Sequence, residues 1–315
     1  MSRAGRWLRR RALVASVVMA AVCTAVAVGL VLAVTSHAGQ ERAGQEHAGQ
    51  GNAAREDAAG VARPRPAPGP AEQGTAGRLA VVGDAPVSRL VEIRRDADEA
   101  LRYVRAVWDG PWADQVVVEV PAGGAGFRAE SGRTGTDGEA AVAVLPGEAP
   151  GGGRVIVNPE VYDRLTVEGR QVVLRHEFTH LASADVTGAG TPMWLVEGLA
   201  ETVGHAGVGL EVTRAAAELA AQVRSGWLPD ALPGDAAFSA ADGAAPARYQ
   251  EAWLACRLIA DRAGLDGLIR FYRQVGSGGG DPPTRLAGAL RAVLGTTEAD
   301  FVMQWRSYLD AQLRP

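Results

Sequence analysis

An α+β domain is predicted for residues 78–315, with a small mixed sheet in its N-terminal half, a helical C-terminal half, and one transmembrane helix before it. Three observations predict this. Short runs rich in valine, each closed by glycine or proline, occupy the stretch from Leu79 to Asn158. Helical periods with caps and breaks then fill the chain from Glu168 onward. Ahead of both lies an uncharged apolar run behind a cluster of arginines.

The arginines are Arg3, Arg6, Arg9, Arg10 and Arg11, and the apolar run extends from Ala12 to Val34. As a helix it measures about 34 Å, enough to cross a hydrocarbon core of ~30 Å. A cleavable signal has a shorter apolar region, and Ser36-His37-Ala38 makes a poor small-x-small cleavage site. Cys23 sits inside the run, without lipoprotein surroundings. Residues 1–35 therefore read as a cytoplasmic Arg-rich tip and a signal anchor; a long cleaved signal is the alternative. Under either reading the remainder lies outside the cytoplasm, at the membrane or secreted. Residues 36–77 read as a linker. Their Ala-Gly-Gln repeats and the proline-rich 62–70 have no apolar period with which to offset chain entropy.

The net charge of −4 and the lack of a basic cluster beyond the N-terminus argue against a nucleic-acid partner. Cys23 and Cys256 cannot form a disulfide framework.

Within the domain, Leu79–Val82 is the first strand. Val87–Trp108 follows as a helix, with Leu90, Val91, Ile93, Ala97, Leu101, Val104 and Val107 near helical spacing, and Asp109-Gly110-Pro111 breaks it. Gln115–Val120, Glu139–Leu145 and Arg154–Asn158 are the other strands, and the glycine-rich 123–138 reads as a flap or a loop. A helix from about Glu168–Arg170 to Ala184 should bury Val172, Val173, Phe178, Leu181 and Ala182. After a loop, Thr191 is expected to cap a helix whose first residue is Pro192. Further helices are expected at 211–225, 245–263, 265–274, 284–293 and 297–312. The last opens on Thr297-x-x-Asp300, a capping-box variant.

The chemistry concentrates between Arg175 and Glu201. His176, Glu177 and His180 form His-Glu-x-x-His, which on a helix turns both imidazoles to one point with a carboxylate beside them. Two imidazoles so placed supply two of the three protein ligands of a catalytic zinc, and Glu177 is placed to take a proton from water. Glu197 lies between Trp194-Leu195-Val196 and Gly198-Leu199-Ala200, so it should be partly buried and need a cation, which makes it the candidate third ligand. Glu201, one turn later, suits an acceptor for a histidine ring N–H; a surface ion pair is its plainer role.

His-Glu-Phe-Thr-His followed by Pro-Met-Trp-Leu-Val-Glu-Gly-Leu-Ala-Glu resembles the MA-clan zinc metallopeptidases with a glutamate third ligand, the gluzincins. It is most similar to the "peptidase MA-like" group, whose second motif is tryptophan-leucine-x-glutamate-glycine-x-alanine-glutamate. The resemblance implies a zincin-like domain in which His176, His180 and Glu197 bind Zn2+, Glu177 is the general base and Glu201 supports a histidine. It implies a peptide or protein substrate and hydrolysis of a peptide bond.

The gap to Glu197 is shorter than in thermolysin-like members, and the aminopeptidase motif Gly-x-Met-Glu-Asn is missing. Ser183 and Val186 stand where a metzincin has glycine and histidine. A donor to the developing oxyanion is also implied. His205 is too close along the helix to reach across a cleft, so Tyr249 is the first candidate by position and analogy, with Arg248 behind it. Substrate backbone would align on an edge strand, either Glu139–Leu145 or Arg154–Asn158. Two other readings stay open: a zincin-like binding or sensor domain without activity, and a zinc hydrolase of a non-peptide bond.

Overall fold

All four valine-rich runs become strands of one sheet. They are β1 (Arg78–Gly83), β2 (Gln115–Val120), β3 (Ala141–Val144) and β4 (Arg154–Val157), in the order β1-β2-β4-β3. β1, β2 and β4 run parallel, and β3 is antiparallel to β4. This computed structural model describes residues 78–314 apart from 111, 113–114, 133–137, 147–152 and 240–242. The expected anchor (1–35) and linker (36–77) lie outside the described residues, among which no helix is long and apolar enough to cross a membrane.

β3 is shorter than the expected Glu139–Leu145 because its ladder with β4 runs only from Ala141↔Val157 to Val144↔Arg154. β4 ends where Pro159 opens the short helix Pro159–Tyr162. Of the two strands considered for an edge, β3 is the edge and β4 is interior. Alternation along the strands splits the core. Phe127, Val142, Val144 and Ile156 form a small cluster on one face, while Ala141, Ala143, Val155 and Val157 join the main core on the other.

Phe127 belongs to a helix, Gly124–Ser131, so the first part of the expected flap or loop is helical. Its glycine content masks it in sequence. Burial of Phe127 and a hydrogen bond from Gly124 N–H to Glu160 Oε1 (2.9 Å) hold it.

Helix α1 (Val87–Val107) packs on the main-core side through Ile93, Ala97, Ala100, Leu101 and Val104, whereas Val91 is exposed. Helix α2 (Val167–Ser183) lies against α1 and β3. Thr166 caps it by accepting from Gly169 N–H at 3.1 Å. Val172, Val173, Phe178, Leu181 and Ala182 are all buried, as the spacing requires.

Helix α3 (Met193–His205) begins one residue later than expected. Pro192, with φ −61° and ψ 139°, is the extended cap residue. The Thr191 hydroxyl donates to Gly188 O, and the Met193 N–H is taken instead by Asp235 Oδ1 at 2.8 Å. The cap thus comes from a segment distant in sequence.

The helix expected at 211–225 is broken at Ala216 (φ −110°, ψ 45°) into Val212–Ala215 and Ala217–Arg224. Gln250 Oε1 accepts from Leu219 N–H at the start of the second piece. Helix α4 (Ala245–Ser277) contains both helices expected at 245–263 and 265–274, joined at Gly264. Gly264 has φ 76° and ψ 165°, a conformation open to glycine and strained for other residues. A helix at Pro282–Ala289 starts earlier than expected because Asp281 accepts from Thr284 N–H. The last helix, Glu298–Leu313, is capped by Thr297, whose hydroxyl in turn donates to Asp300 Oδ2.

α3 is the centre of the helical half. It lies between α2 on one side and α4 on the other and is buried from Met193 to Gly204.

Candidate metal centre

Helix periodicity and burial together build this site. α2 is buried almost all round from Gly169 to Ser183, so the imidazoles of His176 and His180 are shut away with whatever faces them. What faces them is α3. One helical turn on each element brings His176, His180 and Glu197 into a group whose ligand atoms all lie within 4.8 Å of one another. The two Nε2 atoms are 3.0 Å apart, with the rings edge-on at 78°. Each Nε2 is 3.6 Å from Glu197 Oε2.

Glu197 is 0% exposed, and neither of its oxygens has a hydrogen-bond partner among the described residues. A buried carboxylate without hydrogen bonds is costly unless a cation meets it. This group can hold a metal ion.

The charges agree. Burial alone would favour a neutral His176, but Glu197, Glu201 and Glu177 outweigh it and push the imidazole up to about 9. Burial likewise disfavours an ionised Glu197, yet His180 and His176 hold it below the usual carboxylate range. The pocket therefore carries a negative field that selects positive charge, from a proton or from a metal ion.

No family model matches this chain, and neither does any curated protein. The site thus rests on its own geometry.

Glu177 follows His176 on α2, and its Oε2 accepts from the Ala143 N–H at 2.6 Å. Ala143 can donate there because β3 is an edge strand and because its small side chain, facing the main core, lets α2 approach. Glu201 lies with Oε1 3.6 Å from His176 Nδ1, near the ring it is expected to accept from but beyond hydrogen-bond distance. The plainer expectation, a surface ion pair, does not hold, because Glu201 is buried.

Tyr249 is placed in the core of α4, its ring edge-on to Phe238 with centroids 5.3 Å apart. Arg248 is directed to Glu251, with Nη1 3.5 Å from Oε1.

Tyr272, from the far arm of α4, is a tyrosine within the field of Glu197. Burial first, and Glu197 with it, push its phenol up to about 12, while hydrogen bonds to Thr187 and Ser183 act the other way. Its hydroxyl is 2.6 Å from Thr187 Oγ1, and Thr187 itself donates to Ser183 O at 2.8 Å. Thr187 has one proton to give, so Tyr272 is the donor between them. Phe271-Tyr272 looks like ordinary core in the sequence, and its position depends on the turn at Gly264.

Proposed function

We propose that this protein is a zinc-dependent peptidase of the gluzincin type, working outside the cytoplasm and anchored through its N-terminal apolar run. The single observation that carries the reading is the fully buried Glu197 carboxylate, without hydrogen bonds and equidistant from two imidazole nitrogens.

The dimensions and donor types suit zinc. Zinc–nitrogen and zinc–oxygen distances of about 2.0–2.2 Å give a tetrahedron with edges of roughly 3.4 Å. The three ligand separations here are 3.0, 3.6 and 3.6 Å. Two imidazoles and one carboxylate are a three-ligand set of the catalytic kind, whereas structural zinc is ordinarily closed by four protein ligands and favours cysteine.

His176, His180 and Glu197 would hold the ion. When bound, it supplies a Lewis acid that polarises a carbonyl and makes water acidic near neutrality. Glu177, oriented by the Ala143 N–H, accepts the proton of the attacking water and passes it to the leaving amine. β3, the edge strand that carries this N–H, is the natural rail for an extended substrate by strand addition. Tyr249, the expected oxyanion donor, is packed in the core against Phe238, and the proton of Tyr272 is already committed to Thr187.

The test is cleavage of a mixed peptide library by purified protein, read by mass spectrometry. Wild type should cut in a chelator-sensitive manner, and Glu177→Gln should lose about 10²–10⁴ in rate with its zinc intact. Tyr249→Phe should lose on the order of 10²-fold in kcat if it is the donor. Unchanged kcat would return that side chain to the core. Zinc binding without any cleavage would favour a binding or sensor domain, and cleavage confined to esters or amides outside peptides would favour a different hydrolase.

A further inference from the structure

Glu201 has a second partner that metal binding alone does not explain. His205, one turn further along α3, brings Nε2 to 3.3 Å from Glu201 Oε2, while Glu201 Oε1 faces His176 Nδ1 at 3.6 Å. The carboxylate therefore bridges two imidazoles, one on each helix. An i, i+4 pair of this kind is ordinarily solvated and contributes little. Here the His205 side chain is only 8% exposed. Its ring is stacked on Trp253 of α4, with centroids 4.2 Å apart and planes inclined by 24°. The stack removes the ring's rotational freedom, and the ring in turn restricts the carboxylate.

Proton positions follow from the partners. A carboxylate only accepts, so the proton of His205 facing it is on Nε2, and that of His176 facing it is on Nδ1. In the neutral ring that a metal would meet, a proton held on Nδ1 leaves the Nε2 lone pair of His176 toward His180 and Glu197. We propose that His205 is a positioning residue of the metal centre. Backed by Trp253, it holds Oε2 of Glu201 so that Oε1 is aimed at His176 Nδ1, and this fixes the tautomer and ring angle of the ligand. The assignment rests on the metal reading above and extends it through α3 to α4. The packing of the helical half thereby becomes part of how the ligand set is aimed.

The experiment is a double-mutant cycle on zinc affinity of the purified full chain, measured by competition with a chromophoric chelator. His205→Leu fills the ring's space without a donor, and His205→Gln restores a donor of similar reach. Wild type should bind zinc, and His205→Leu should weaken it about tenfold, the lower end for partners of metal ligands. His205→Gln should recover most of that loss. In a Glu201→Gln background, His205→Leu should add no further loss, because its route to the metal has gone. The visible spectrum of the cobalt-substituted protein should shift with His205→Leu and not with His205→Gln.

Equal losses in both backgrounds, or no loss in either, would overturn the proposal while leaving the metal reading intact. A wild-type chain that binds no divalent metal would remove both. Should His205→Leu fail to fold, His205→Asn replaces it; one carbon shorter than Gln, it does not reach Glu201, and equal affinity of the Asn and Gln variants would contradict the role.

Discussion

The two sides of α3 solve opposite problems. Toward α2 the helix presents Glu197 and Glu201, carboxylates buried against the histidines of the facing helix. Toward α4 it presents Gly198 and Thr202 at such close range that a Cβ on Gly198 would run into Ala252 O, and Thr202 Oγ1 donates within its own helix to Gly198 O. The second side has no space to spare and satisfies its polar groups locally. The first side has polar groups that are left short of partners. A helix buried on all sides is ordinarily apolar all round. The departure from that pattern on one side marks the functional surface, and the close packing on the other keeps that surface in place.

Each side has its own point of attack. The largest effect is expected from Gly198→Val, which forces α3 and α4 apart and should cost about 3 kcal/mol or more in denaturant unfolding. Zinc affinity should fall with it, because the close-packed side positions the polar one. Glu197→Ala attacks the polar side alone. It should lower zinc affinity by more than about 100-fold, beyond the range for groups that merely support a ligand, while the far-UV spectrum stays unchanged. If the metal-free protein unfolds instead, the two sides are not separable.

Glu251 of α4 is also a buried carboxylate, with the opposite balance of charge. Burial pushes it up from 4.5 to about 7, with Arg248 opposing, whereas the histidines hold Glu197 below its usual range. A carboxyl raised on folding is protonated in both states below about pH 4.5. As pH rises from there to about 7 the unfolded chain ionises first, so stability falls across that window. The drop from this group is on the order of 3 kcal/mol. Glu251→Gln should remove that drop and leave zinc affinity unchanged, as measured by urea melts at pH 5 and pH 8. A pH dependence identical to wild type would show that Glu251 is not the buried acid responsible.

How much of this could be read in the chain depended on how far apart the cooperating residues lie. His176, Glu177 and His180 are legible because one turn of helix is enough to bring them together. Glu197 is legible because its apolar neighbours imply burial, and burial of a carboxylate implies a cation. The order of the four strands and of the longer helices is legible for the same local reason.

What stayed hidden is set by tertiary contacts. Asp235 displaces Thr191 as the cap of α3, and Gln250 caps the helix that Ala216 interrupts. A glycine-rich segment becomes helical once Phe127 finds its pocket. The Ala143 N–H reaches Glu177 only because β3 lies at the edge of the sheet. The spacing of His205 along α3 places it one turn from Glu201. That spacing gives no sign of its stack on Trp253, because the partner is on another helix.

The most direct test of the central claim is the metal content of the purified protein, taken for wild type, Glu177→Gln and Glu197→Ala side by side. Close to one zinc per chain is expected in the first two and loss of it in the third. Folded wild type devoid of zinc and of every other divalent metal, or Glu197→Ala that keeps its zinc, would contradict it.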